Sequence, residues 1–172
     1  MRTTLDTLYR LAGALAAVGM IATLVMVTTG IVTRPLGIYL RGTDDYAGYA
    51  MAACGFLALA YTFKHGEHIR VTLLIDRIGG SVQRVLQWVA LLIGTGVSGA
   101  LAWYSLRLAW QSHAFGDISQ GVDATPLWIP QLSLAIGATV FLIAMLDDLV
   151  MTTLGRPCAR LANAGQEPAR ME

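Results

Sequence analysis

The chain has 172 residues, of which 55% are hydrophobic and 13% are charged, and its mean hydropathy is +0.58. Soluble domains carry about 25% charged residues, so this composition indicates a membrane protein. The net charge of +1 gives no sign of nucleic-acid binding. The two cysteines, Cys54 and Cys158, fit neither a disulfide framework nor a zinc spacing.

Four stretches without a charged residue predict four transmembrane helices and an all-α fold. They cover residues 11–33, 46–63, 85–106 and 124–146, and each has 18 to 23 residues. This is near the roughly 20 residues that cross about 30 Å of hydrocarbon as a helix. The first stretch is longer than the apolar run of about 7–15 residues in a signal peptide, and no clear cleavage site precedes Arg34. We therefore predict a retained helix.

Stripes of small residues predict where helices pack against one another. Gly94, Ser98 and Ala102 lie on one face of the third helix, and such stripes let helix backbones approach closely in lipid. Shorter stripes occur at Ala12 and Ala16, Gly13 and Ala17, Gly48 and Ala52, and Ser133 and Gly137.

The basic residues predict the orientation of the helices. Nine of the twelve lie on one side of the predicted spans, and only Arg34, Arg41 and Arg107 lie on the other. Positively charged residues collect on the cytoplasmic side, so both termini are predicted to be cytoplasmic. The loops over 34–45 and 107–123 then face outward, and residues 1–155 form the membrane domain. The tail over 156–172 is predicted to be disordered.

The segment after the second span predicts a short amphipathic helix over about 69–78. Apolar residues recur there at helical spacing, and Arg70, Arg77 and Arg84 recur every seven residues on another face. Such a helix lies along the cytoplasmic membrane surface with its arginines at the headgroups. Gly79 and Gly80 interrupt it, and Ser81 is a candidate N-cap of the third helix. The alternative is a simple extension of the third helix.

The outward loop over 111–130 and the end of the fourth span carry further polar residues. Trp128 is either a membrane-depth anchor or a partner contact. Asp117 and Asp123 are either ordinary loop residues or contacts to a partner. Asp147 and Asp148 are predicted to end the fourth helix, where a carboxylate pair is unfavourable with the helix dipole. A basic neighbour is therefore expected, which the sequence does not identify.

The charge-free stretches contain no ionisable residue, and such residues mark most transport and redox sites in membranes. His65, His68 and His113 all lie outside them, which argues against a haem-binding subunit. His65 and His68 also lack the i, i+4 spacing of zinc proteases. We predict no catalytic, cofactor-binding or metal-binding residue, and hence a scaffold or accessory subunit rather than an enzyme or a self-sufficient carrier.

Several short motifs, in order, point to a family. An arginine closes the first helix, an acidic pair precedes the second, and later motifs follow the second helix and start the fourth: Arg34, Asp44-Asp45, His68-Ile69-Arg70-Val71 and Pro126-Leu127-Trp128-Ile129-Pro130. Over nearly its whole length the chain resembles the DctQ-type small permease subunit of tripartite ATP-independent periplasmic (TRAP) transporters. The family commonly has Glu-Glu with a nearby tryptophan at the acidic pair; this chain has two aspartates and no such tryptophan.

The resemblance implies a multi-pass subunit of the bacterial inner membrane that serves sodium-coupled import of organic acids. It implies a large DctM-type permease subunit that carries the substrate and sodium sites and moves like an elevator, and a DctP-type periplasmic binding protein that delivers substrate. The small subunit resembles a fixed scaffold for the moving part. The substrate itself is not specified, because on this interpretation the small subunit does not bind it.

Eight residues are the candidate interface positions. We predict an electrostatic contact of Arg34 with Asp44 or Asp45, or with the large subunit, against the alternative of solvated loop charges. The others are predicted to contact membrane phospholipid or the partner: His68, Arg70, Arg77, Arg84 and Trp128. Two other functions stay open: a haem-free membrane anchor subunit of a respiratory, quinone-binding complex, and a stand-alone channel-like or assembly protein.

Overall fold

The computed structural model describes residues 2–38, 40–64, 81–121 and 123–154. Regular structure in this part of the chain consists of four α-helices: α1 Arg2–Thr33, α2 Thr43–Lys64, α3 Ser81–Phe115 and α4 Trp128–Thr153. All four are long and apolar enough to cross a membrane. The predicted all-α fold with four spans is confirmed. The orientation of the termini stays a prediction.

The helices are longer than the charge-free stretches that predict them. A charge does not end a helix, since the backbone hydrogen bonds continue past it. α3 has 35 residues and ends only before Gly116, whose φ of +66° favours glycine. Arg107, assigned to the outward loop by its charge, therefore lies within α3, and that loop shortens to residues 116–127. Asp147 and Asp148 likewise do not end α4, which continues to Thr153.

Three of the candidate interface residues, His68, Arg70 and Arg77, lie outside the described residues. So do the predicted amphipathic helix over 69–78 and the tail over 156–172. Arg84 lies in the fourth position of α3, which begins at Ser81, and only its backbone is described.

The helices pack in the order α1, α2, α4, α3, so α2 and α4 form the central pair. α2 and α4 run parallel, because Phe56 meets Gly137 and, further along both helices, Lys64 meets Asp147. α1 reaches α4 at the Lys64 end of α2. There a cluster of buried residues joins the three helices: Tyr9, Ala12, Ala60, Phe63, Val140 and Ala144.

Small residues form the contact between α3 and α4. The buried positions alternate in steps of four and three, which is the 3.5-residue period of a left-handed helix pair: Ser98, Ala102, Ser105, Ala109 and Ser112. Ser98 and Ser105 donate hydrogen bonds to carbonyl oxygens of their own helix, at 3.1 and 2.7 Å. The predicted contact stripe of the third helix is confirmed. Gly48 and Ala52, by contrast, face away from the rest of the described chain.

The closest backbone approach in the central pair is at Gly137. A Cβ there would lie 2.6 Å from the carbonyl carbon and oxygen of Phe56. Because both atoms belong to the backbone, no side-chain rotation relieves the overlap, and α2 and α4 would have to move apart.

We expect Gly137→Ala to lower the free energy of unfolding by about 1–3 kcal/mol through overpacking, despite the better helix propensity of alanine. Gly48→Ala is the matched control, because a Cβ there meets no atom within 4 Å. The measurement is the thermal unfolding temperature of each purified variant in detergent. Equal temperatures for the two variants would contradict the close approach.

Candidate functional site

Polar side chains gather at the two ends of the helix pair α2 and α4. We call them the outer cluster (Arg34, Asp44, Asp45, Tyr46, Tyr49, Ser119, Asp123 and Thr125) and the inner cluster (Tyr9, Lys64, Asp147 and Asp148), after the predicted orientation. Between them the facing surfaces of α2 and α4 are apolar, with Leu57, Ala60, Ala138 and Val140 buried.

An ion pair links the end of α1 to the start of α2 in the outer cluster. Arg34 begins the turn that follows α1, and its Nη2 donates to Oδ2 of Asp44 at 3.0 Å. Asp44 lies in the first turn of α2, where the helix dipole favours a carboxylate. Both side chains are more than 70% exposed, so this pair contributes at most about 1 kcal/mol in solution. The main effect of the Arg34–Asp44 pair is to hold the end of α1 close to the start of α2, across their short connection.

Two aspartates bring the α1–α2 connection into contact with the α3–α4 connection. The carboxylate of Asp45 lies against Gly121, where a Cβ would collide with it. Reciprocally, Asp123 lies against Gly42, where a Cβ would be 2.7 Å from Oδ2. Gly42 also has a φ of +80°, so both its backbone conformation and the approach of Asp123 require glycine. The connections α1–α2 and α3–α4 are thus in close contact at these two positions.

Two tyrosines of α2 hold the loop over 116–127. Tyr49 Oη donates to Ser119 Oγ at 2.8 Å, and Tyr46 Oη lies 3.3 Å from Thr125 Oγ1. The loop closes on itself through Ser119 N to Thr125 O at 2.8 Å and Leu127 N to Asp117 O at 3.0 Å. A bonded loop of this kind presents a defined surface at the outer end of the molecule.

Trp128 lies at the first position of α4 and is half-buried. Its ring meets His113 of α3 edge to face, with centroids 5.3 Å apart. Trp128 therefore contacts a helix of its own chain. Its ring lies near the end of α3 and the start of α4, where both helices join the loop over 116–127.

The inner cluster is a largely buried group of charges shared by three helices, in which the side chain of Asp147 is still 28% exposed. Lys64 Nζ at the end of α2 lies 2.5 Å from Oδ2 of Asp147 and 3.9 Å from Oδ1 of Asp148, both on α4. The ammonium group also lies 5.3 Å from the ring centroid of Tyr9 on α1, within the range of a cation–π contact. The Lys64 side chain is 12% exposed and that of Asp148 is 2% exposed.

Lys64 is the basic neighbour that the aspartate pair requires. The sequence did not identify it, because the two positions lie 83 residues apart. A topological signal existed: α2 and α4 both run from the outer to the inner end, so the first charges after their apolar stretches lie on the same side. The helix dipole is not the reason for the pairing, since α4 continues a turn and a half beyond Asp148.

The described residues contain no group of three or more His, Cys, Asp or Glu side chains placed to hold a metal ion. What the polar residues do is join helices: α1 to α2 and α2 to the outward loop at one end, and α1, α2 and α4 at the other.

These features define an all-helical, multi-pass membrane protein whose two polar clusters lie at the ends of the helix pair α2 and α4. The family model for the DctQ component of tripartite ATP-independent periplasmic transporters matches residues 23–154. The chain belongs to this family, the small permease component of TRAP transporters, so the predicted resemblance is confirmed. The family is one of transporter components rather than enzymes, and its members work with DctM-type and DctP-type proteins. No curated protein matches the chain significantly.

Removing the Lys64 charge is expected to be costly, because it takes away the cation that lies 2.5 Å from Asp147 and 3.9 Å from Asp148 at a poorly hydrated site. We expect Lys64→Met to lower the free energy of unfolding by about 3–5 kcal/mol. Arg34→Met, which breaks the exposed ion pair, should change it by at most about 1 kcal/mol. Thermal unfolding in detergent at fixed pH compares the two variants.

The triple variant Lys64→Met, Asp147→Asn, Asp148→Asn distinguishes the effect of lost charge from the effect of changed side-chain shape. Because it removes the carboxylates together with the ammonium group, it should recover part of the loss. If Lys64→Met were as stable as Arg34→Met, the inner cluster would not hold the helices together.

Proposed function

We propose that this chain is the fixed scaffold subunit of a sodium-coupled TRAP transporter that imports organic acids. A DctP-type periplasmic protein delivers the substrate to a DctM-type large permease subunit, which moves like an elevator against the scaffold. The complex lies in the bacterial inner membrane, with both termini of this chain in the cytoplasm. The family match favours this function over a respiratory anchor subunit or a stand-alone channel.

The observation that carries the scaffold role is the attachment of α2 at both of its ends. The outer end is bound to the 116–127 loop through Tyr46 and Tyr49, and the inner end is bound to α4 and α1 through Lys64. A helix that slid during transport would have to separate buried opposite charges, at a cost of several kcal/mol. This arrangement supports a rigid platform.

The distribution of basic residues supports the proposed orientation. Lys64 and the early turns of α1, which contain Arg10, lie at the inner end, where the arginine-rich segment follows α2. His68, Arg70, Arg77 and Arg84 are proposed to contact phospholipid headgroups or the large subunit on that side. Arginine suits phosphate because its planar guanidinium donates two parallel hydrogen bonds.

Reconstituted uptake tests the transport function. The chain is co-purified with the DctM-type and DctP-type proteins of its own organism, and organic acids are screened for thermal stabilisation of the binding protein. A stabilising acid, radiolabelled, should accumulate in proteoliposomes only when all three proteins and an inward sodium gradient are present. Uptake without this chain would contradict its role as a required subunit. Equal uptake under a potassium gradient would contradict sodium coupling.

A disulfide between α1 and α2 tests the scaffold role separately. A Cβ at Gly19 would lie 3.3 Å from Cβ of Cys54 and 3.1 Å from the carbonyl oxygen of Ala50, so a shift of a few tenths of an ångström between the helices brings the two Cβ atoms to the separation of about 3.8 Å that is usual in disulfides. In a Cys158→Ser background, oxidised Gly19→Cys should lose thiol labelling and retain full uptake, because α1 and α2 do not move relative to each other.

The control is Gly19→Cys with Cys54→Ser, which carries the same added side chain and cannot form the bond. Uptake that is lost on oxidation and restored by a reductant, in the Gly19→Cys variant alone, would show that α1 and α2 move during transport. The scaffold proposal would then be wrong.

A further inference from the structure

The outer half of α3 exposes a face unlike the other membrane-facing surfaces. Trp103, Arg107 and Trp110 follow one another at i, i+4 and i+7, and all three are exposed, the two tryptophans by 69% and 76%. Beside them lies a shallow groove of about 380 Å³, lined by Tyr104, Ser105, Arg107, Leu108 and Gln111.

The depth of this face follows from the contacts of α3 with α4. His113 is level with Trp128 at the start of α4. Gly94 is level with Met145, two residues before Asp147. The 19 residues from Gly94 to His113 span about 28 Å at 1.5 Å per residue, close to the hydrocarbon thickness of about 30 Å. The candidate membrane span of α3, Trp88–Phe115, contains this part of the helix, and we place the apolar core of the membrane along it.

Arg107 lies six residues inside His113, about 9 Å below that level. A charged side chain at such depth is costly against lipid and usually pairs within protein or lines a polar cavity. None of the ion pairs among the described residues includes Arg107. Trp103 lies about 15 Å deep, which is mid-membrane, whereas the tryptophans that anchor proteins to lipid lie at the two interfaces.

The exposed faces elsewhere show what a lipid contact looks like in this chain. α1 exposes aliphatic residues along its length, among them Leu15, Val18, Leu24 and Ile31, and the inner half of α3 exposes Val89, Leu92, Ile93 and Val97. The two exposed tryptophans of the described residues both lie on the outer half of α3, beside the exposed Tyr104 and Arg107. Those residue types are enriched at the centres of protein–protein interfaces.

We propose that the Trp103–Arg107–Trp110 face of α3 is the docking surface for the large permease subunit. Arg107 meets a carboxylate on a membrane helix of that subunit, which supplies the ion-pair partner that Arg107 lacks among the described residues. The two tryptophans flank the pair and exclude water and lipid, which strengthens it. This inference rests on the proposed function, since that function supplies the partner.

Photo-crosslinking in the intact complex tests the surface directly. p-Benzoylphenylalanine replaces Trp103, Trp110 or, as the control, Leu24, which is exposed on α1 about 13 Å from the outer end of that helix. Labelling of the large subunit is expected from positions 103 and 110. Labelling from position 24 alone, or crosslinks from 103 and 110 to phospholipid alone, would overturn the proposal.

Substitution of Arg107 tests the charge. Arg107→Leu should lower recovery of the large subunit by about tenfold or more, as for other interface hot spots, and Arg107→Lys should retain most of it. The unfolding temperature of the chain purified alone should not fall, because Arg107 is exposed. Unchanged recovery with Arg107→Leu would contradict the pair. If the wild-type chain did not co-purify with the large subunit, that result would contradict the proposed function. The docking surface, which rests on that function, would fail with it.

Discussion

The buried contact of Lys64 with Asp147 and Asp148 is the interaction on which the arrangement of the helices depends. Removing one partner of a poorly hydrated ion pair leaves the opposite charge without compensation, which is costly. The three charges bind the end of α2 to α4, and the ring of Tyr9 brings α1 to the same point. Because Lys64 of α2 meets Asp147 of α4, the contact fixes the register of the two helices, and hence which apolar residues meet between them.

Close packing of small residues is the second interaction that holds the helices together, beside the ion pairs. Lipid is as apolar as the helix surfaces, so no hydrophobic force drives two helices together, and dispersion contacts between backbones must do so. Gly137 against Phe56 and the Ser98–Ala102–Ser105 surface of α3 supply those contacts. Larger side chains are left on the outside, where lipid or another subunit covers them. The packing thus explains the largely aliphatic exterior of the helix set.

A rigid platform suits a small subunit of a TRAP transporter, whose larger partner is proposed to do the moving. The outer loops are held by Tyr49 and by the close contacts of Asp45 and Asp123, and the inner ends are held by the charged cluster. The remaining tryptophans and arginine on α3 belong to neither cluster. Their place at membrane depth is what one expects of a surface covered by another protein.

The sequence by itself determined the four spans, the contact stripe of α3 and the family. Each of these depends on local composition or on motif order, and a helix in lipid satisfies its backbone hydrogen bonds within its own segment. The tertiary structure decided which charges meet. Three features depend on the rotation and register of one helix against another. They are the ion-pair partner of Asp147, the contact of Asp45 with Gly121, and the position of Gly48 on a face that points away from the other helices. Rotation and register are set by the sum of contacts between distant segments, and no local pattern in either helix encodes them.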